Sequence, residues 1–175
     1  MLPRVHAEIT RRALATLFSR HALESIVAAN LLLDAPWNQL GHDELHFDNN
    51  AFAPSHGYIA EQRALIRPAL EGRQPRRARQ AFGRLIHTAQ DYYSHSNYVR
   101  LWLAGHRERT LPAPTEIDPL DAGIMANPAL HSGRSHMPFG VLSFVPGLGK
   151  WVDRMLPPDS HARMNLDSAA RGSGF

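Results

Sequence analysis

The stretch GRLIHTAQDYYSHSNYV, residues 83–99, places His87, Asp91 and His95 at four-residue intervals in otherwise apolar surroundings. At about 100° per residue, Asp91 falls about 40° and His95 about 80° from His87. Phe82, Leu85, Ile86, Ala89, Tyr92 and Tyr93 cluster between about 140° and 260° on the same helical wheel. Two imidazoles and a carboxylate thus form one stripe, distinct from the main apolar face. Zinc takes three or four N or O ligands at about 2.0–2.2 Å, and a histidine with a carboxylate one turn away supplies two of them rigidly. The plainer reading of the same stripe is a solvated polar face, since H-x-x-x-D also recurs by chance.

Working outward, four separate segments offer histidine or aspartate where packing prefers an apolar side chain. A first helix is expected over residues 5–18, with Ile9, Ala13, Leu14, Leu17 and Phe18 as its buried face and His6 at the edge. A second, over 21–33, uses Leu23, Ile26, Val27 and Leu31, and Asn30 and Asp34 extend its stripe. An acid at a helix C-terminus opposes the macrodipole, so Asp34 calls for a compensating partner. His46 sits in ELHFDNN, within a turn-rich loop expected over 34–57 with at most a short helical turn.

A third helix is expected over 58–70, interrupted by Pro68, and a fourth carries apolar periodicity from Ala78 to Leu103 with Pro75 in its first turn. After Gly105 most of the remaining Pro and Gly predict a long irregular excursion. Short helices are expected near 120–126 and 139–145, with a last helical start in SHARMNLDSAARG. The fold class is therefore all-α, a helical bundle in a single domain spanning 1–175.

Composition narrows the chemistry. There is no cysteine, which excludes disulfides and thiolate metal sites and leaves imidazole nitrogen and carboxylate oxygen as ligands. Eleven histidines make such a site practicable. A net charge of +3 and a pI near 9.8 mildly favour anionic partners. Five arginines fall between positions 73 and 84, read first as a solvated helix start rather than a nucleic-acid patch. No signal peptide is visible at the start and no apolar run reaches the ~20 residues of a membrane span.

LIHTAQDYYSHSNYV resembles the signature segment of Het-C-like domains, which belong with zinc-dependent phospholipase C and the single-strand-specific zinc nucleases. HAEIT, AANLLLDAPW, ELHFDNN and PDSHARMNLDSAARG resemble further blocks of that family, in order. The resemblance implies a bundle holding two or three zinc ions, with His6, Asp34, His46, His87, Asp91, His95 and His161 as ligands and Asp91 bridging. It also implies phosphodiester hydrolysis by a metal-bound water that Asp34 orients or deprotonates, with a phospholipid headgroup as substrate and possible peripheral membrane contact. Stable nucleic-acid binding is not expected. A second reading is a metal-binding or non-catalytic recognition module, and a third is a nuclease acting on single strands. Three departures from the family pattern bear on activity. Asn97 stands where a ligand is expected, with His95 as its replacement; Asn165 stands at another, with Asp167, His131 or His136 as substitutes; and the chain stops at RGSGF where the family continues into another helix. By the same resemblance, Met1 stands where the nucleases place a terminal residue on zinc.

Overall fold

The computed structural model describes residues 1–39, 41–105, 113, 116–134 and 157–164. These residues form α1 (Pro3–Leu14), α2 (Arg20–Leu31), α3 (Pro36–Gln39), α4 (Asp43–His46), α5 (Phe52–Glu71), α6 (Pro75–His95), α7 (Tyr98–Gly105), α8 (Ala122–Met125) and α9 (His161–Met164). Two 3-10 turns, Leu32–Asp34 and Asp48–Asn50, adjoin α2 and α4. Among the described residues the only β pairing is two isolated bridges, Ser96 with Ser132 and Arg134 with Ser160, so the chain is all-α.

The long helix α6 is central, packed chiefly against α2 and α5. Its approach to α2 depends on Gly83: a Cβ there would lie 2.4 Å from the Ile26 carbonyl oxygen and 2.8 Å from Ala29 Cβ. One apolar cluster joins Ala7, Leu14, Leu23, Ile26 and Val27 to Phe82 and Ile86 of α6. A second joins Phe47, Tyr92, Tyr98 and Trp102, with Phe52, Ile59 and Leu130 packed on it. Burying each large side chain of these clusters contributes about 1.5–3 kcal/mol.

The face that α1 buries is not the expected one. Ile9 and Leu17 are exposed, at 42% and 71%, and Ala13 is exposed too, whereas His6, Ala7, Thr10 and Leu14 are buried. Polar partners across α6 take His6 and Thr10 inward, and the apolar Ile9 is left to solvent. The same inversion holds on α6 itself, where His87, Asp91 and His95 are almost wholly buried while Phe82, Leu85 and Ile86 are only partly so.

Boundaries differ where tertiary pairing overrides periodicity. Residues 34–57 hold α3, α4 and the start of α5, not a loop with a single turn. Pro54 lies in the first turn of α5, where its missing N–H costs nothing, and the helix continues through Pro68 to Glu71. The periodicity expected to run to Leu103 breaks at Ser96, which is extended (φ −106°, ψ 166°). There the Asn97 N–H donates to the His131 carbonyl at 3.0 Å and the Gly133 N–H to the His95 carbonyl at 2.8 Å. The short helix expected near 120–126 is α8, capped by the Asp121 side chain accepting from Ile124 N–H at 3.0 Å. The late start is α9, and the helix expected near 139–145 lies outside the described residues.

Candidate metal centre

Asp91 is fully buried on α6 and gathers imidazoles from three elements. His46 Nδ1 and His87 Nε2 each lie 3.0 Å from its Oδ2. His6 Nε2 lies 3.2 Å and His95 Nε2 3.4 Å from its Oδ1. Asp34 closes the group from the 3-10 turn after α2, with its Oδ1 3.8 Å from His87 Nε2 and its Oδ2 4.0 Å from His6 Nε2. The Met1 amino nitrogen lies 3.1 Å from Asp91 Oδ1 and 2.6 Å from His95 Nε2.

Each ring is turned by a partner on its outer nitrogen. His6 Nδ1 meets Gln90 Oε1 at 2.6 Å, His46 Nε2 meets the Asn38 carbonyl at 3.2 Å, and His87 Nδ1 faces Asn30 Oδ1 at 3.4 Å. These oxygens only accept, so a proton on each outer nitrogen would leave the inner nitrogen's lone pair available to a metal ion. Asn30 and Gln90 are held in turn. The Asn30 amide donates to Gln90 Oε1 at 3.0 Å, and the Gln90 amide donates to Thr10 Oγ at 3.1 Å. The rings of His6 and His87 stack, centroids 4.1 Å apart and 20° from parallel.

The result is an electrostatic arrangement that asks for a cation. The inner nitrogens of His46 and His87 are 3.2 Å apart, with the Asp91 carboxylate against both. His6 Nε2 and Asp34 Oδ2 are buried without a hydrogen-bond partner, and the 3.2 Å from His6 Nε2 to Asp91 is not a hydrogen bond. Atoms bound at about 2.0–2.1 Å to a tetrahedral ion lie about 3.3–3.4 Å from one another, which these separations bracket. Two sets qualify: His6, Asp34 and His87, and His46, His87 and Asp91. The residues therefore fit a metal of the N/O-binding class.

The shifts of Asp91, His87 and His95 agree with that fit, and that of His46 runs against it. Burial alone would raise the Asp91 carboxyl, but the charges of His95, the Met1 amine and His87, with the His46 hydrogen bond, hold it well below its ordinary range. Burial pushes His87 down against the pull of Asp91, and pushes His95 down to about 4. His46 moves the other way: burial lowers it, and the Asp91 hydrogen bond and charge more than reverse this. A neutral imidazole beside an ionised carboxylate is the ligand form metals require.

Among the sequence-derived candidates, His6, Asp34, His46, His87, Asp91 and His95 converge here. His161 instead meets Asp48, 2.7 Å from Nδ1 to Oδ1. Asn97 is not a ligand. Its amide donates to the Ala129 carbonyl at 2.9 Å and its oxygen accepts the His131 N–H at 2.9 Å. His131 Nδ1 is engaged with that corner, while His136, Asn165 and Asp167 lie outside the described residues. Sequence reasoning passed over Asp48, Gln90 and Thr10; the signal for Asp48 lay in ELHFDNN, two residues after His46.

A family model described as the VWA7 N-terminal domain matches residues 5–120, more than half of the chain, and the chain belongs to that family. No curated protein and no solved structure matches it. This overturns the resemblance to Het-C-like domains and to zinc-dependent phospholipase C, together with the phosphodiesterase activity and phospholipid headgroup inferred from it. H-x-x-x-D and its companion blocks are short patterns that different families can share, and they do not establish descent. No helix among the described residues is long and apolar enough to cross a membrane.

Proposed function

We propose that this member of the VWA7 N-terminal domain family is a metal-binding helical domain, whose buried centre holds zinc-class divalent ions around Asp91. The observation that carries this reading is the pair of inner imidazole nitrogens, on His46 and His87, 3.2 Å apart against one buried carboxylate. With their outer nitrogens protonated, a metal cation would satisfy all three groups at once, whereas the Met1 amine, 3.1 Å from Asp91 Oδ1, reaches only the other oxygen of the carboxylate. An uncompensated buried carboxylate costs several kcal/mol. Structural zinc sites return about 10–16 kcal/mol of apparent binding free energy, enough to decide the balance.

His46, His87 and Asp91 Oδ2 would hold one ion, and His6, Asp34 and His87 form the other group able to hold one. His6 lies on the Oδ1 side of the same carboxylate, so Asp91 would stand between the two groups. Zinc fits the set well, because it accepts His and carboxylate without thiolate, and the two groups would take up to two ions. An ion held here supplies Lewis acidity. Asp34, with 16% of its side chain exposed against none for Asp91, is the more accessible of the two carboxylates.

Elemental analysis of protein purified without chelator tests this reading. Zinc in at least stoichiometric amount is expected, falling sharply in Asp91→Asn. Metal-free wild-type protein that also takes up no added zinc, or an Asp91→Asn variant that retains all its zinc, would refute it.

A further inference from the structure

We infer that Asp48, His95 and His161 form a separate ion site, which takes a zinc-class divalent cation and fastens residues 157–164 to the end of α6. The inference rests on the metal-binding reading of the Asp91 centre, because His95 touches both sites. Asp48 Oδ1 lies 2.7 Å from His161 Nδ1 and 3.4 Å from His95 Nδ1, and the two rings are 4.1 Å apart at 64°. These three side chains offer ligand atoms within 4.8 Å of one another. Asp48 is buried, and among the described residues its ion-pair partners are histidines alone. Burial works against its charge, yet His161 and His95 hold the carboxyl well below its ordinary range. A buried carboxylate between two imidazoles is balanced by a proton on one ring or by a metal ion.

The backbone around the three ligands is built as one unit. Residues 131–134 anchor every segment that bears a ligand. Beside Asp48, the Asn49 N–H donates to the Gly133 carbonyl at 2.8 Å, and the Asn50 N–H donates to Ser132 Oγ at 2.9 Å. At the end of α6, the Gly133 N–H donates to the His95 carbonyl at 2.8 Å. Beside His161, its N–H donates to the Arg134 carbonyl at 3.0 Å, and the Arg134 N–H donates to the Asp159 carbonyl at 2.8 Å. Gly133 permits this approach, since a Cβ there would lie 2.7 Å from His161 Cα. Residues distant in sequence are thus preset to one point, as a metal site needs.

His95 sets the relation between the sites. Its Nδ1 now meets the His46 carbonyl at 2.8 Å and its Nε2 faces Asp91 Oδ1 at 3.4 Å. An ion held on Nδ1 would leave the ring proton on Nε2, which faces Asp91 Oδ1 and the Met1 amine 2.6 Å away, so the amine would have to give up its donation to the ring.

Zinc equivalents measured after loading and dialysis, on wild type, Asp48→Asn and His161→Gln, test the site. Glutamine at 161 preserves a hydrogen-bonding group for Asp48 but is a poor zinc ligand, and circular dichroism checks that the helices remain. The expected result is one fewer zinc in both variants, with the remaining zinc retained and the His95 15N shifts of the zinc-loaded wild type reporting an Nε2–H tautomer. Unchanged stoichiometry in both variants, in a wild type that binds zinc, overturns this site and leaves the Asp91 centre standing. A wild type that binds no zinc overturns both.

Discussion

Gln90 decides which nitrogen of His6 faces Asp91. Its side-chain oxygen takes the His6 Nδ1 proton at 2.6 Å, and its amide is fixed by Thr10 at 3.1 Å, so the ring cannot present the other tautomer without breaking both. Outer-sphere partners of this kind usually govern metal affinity by about 10–100-fold. Gln90→Leu should therefore weaken zinc binding by about that factor while keeping helicity, read by competition with a chromophoric chelator; affinity equal to wild type would show that His6 is oriented by something else. At this scale the sequence was informative only for residues on one helix. His87, Asp91 and His95 are legible because four-residue spacing fixes their common face before any packing is known. Gln90 and Asp48 are not, because their importance arises from partners 80 and 113 residues away.

At the scale of elements, two features aim the site. The first is the turn joining α4 to α5, where Phe47, Asn49 and Asn50 all take positive φ, at 56°, 52° and 60°. Asparagine visits this region readily, whereas phenylalanine there costs of order 1–3 kcal/mol and persists only when its surroundings compel it. Phe47 is fully buried against Tyr92 and Phe52, which compels it. The kink sends His46 toward Asp91 and Asp48 toward His161. No local pattern in ELHFDNN predicts it, which is why this stretch read as a loop. The second feature is the α2–α6 contact at Gly83, which brings Asn30 within reach of His87. Gly83→Ala would push a methyl into the Ile26 carbonyl and should destabilise the fold by about 1–3 kcal/mol in denaturant unfolding. An unchanged midpoint would mean that the helices are not so closely apposed. The helices themselves were legible from apolar periodicity; their ends were not, since α6 stops at Ser96 through pairing with residues 131–134.

For the whole molecule, the distribution of polarity is the main fact. The best-buried stripe of α6 is its polar one, and α1 turns His6 and Thr10 inward while Ile9 and Leu17 face solvent. A fold stabilised by apolar burial alone would do the reverse. The all-α class and the helical order follow from composition and periodicity. The family did not, because short His/Asp blocks say little about descent; the match over residues 5–120 settles it as a VWA7 N-terminal domain. The account stands on one claim, that Asp91 is the centre of a metal site. Anomalous diffraction at the zinc edge, from crystals of protein purified without chelator, tests that claim most directly. The account predicts a peak within coordination distance of Asp91 Oδ2, His46 Nδ1 and His87 Nε2. Maps without any peak at Asp91, or with zinc confined to exposed histidines such as His42, would contradict it.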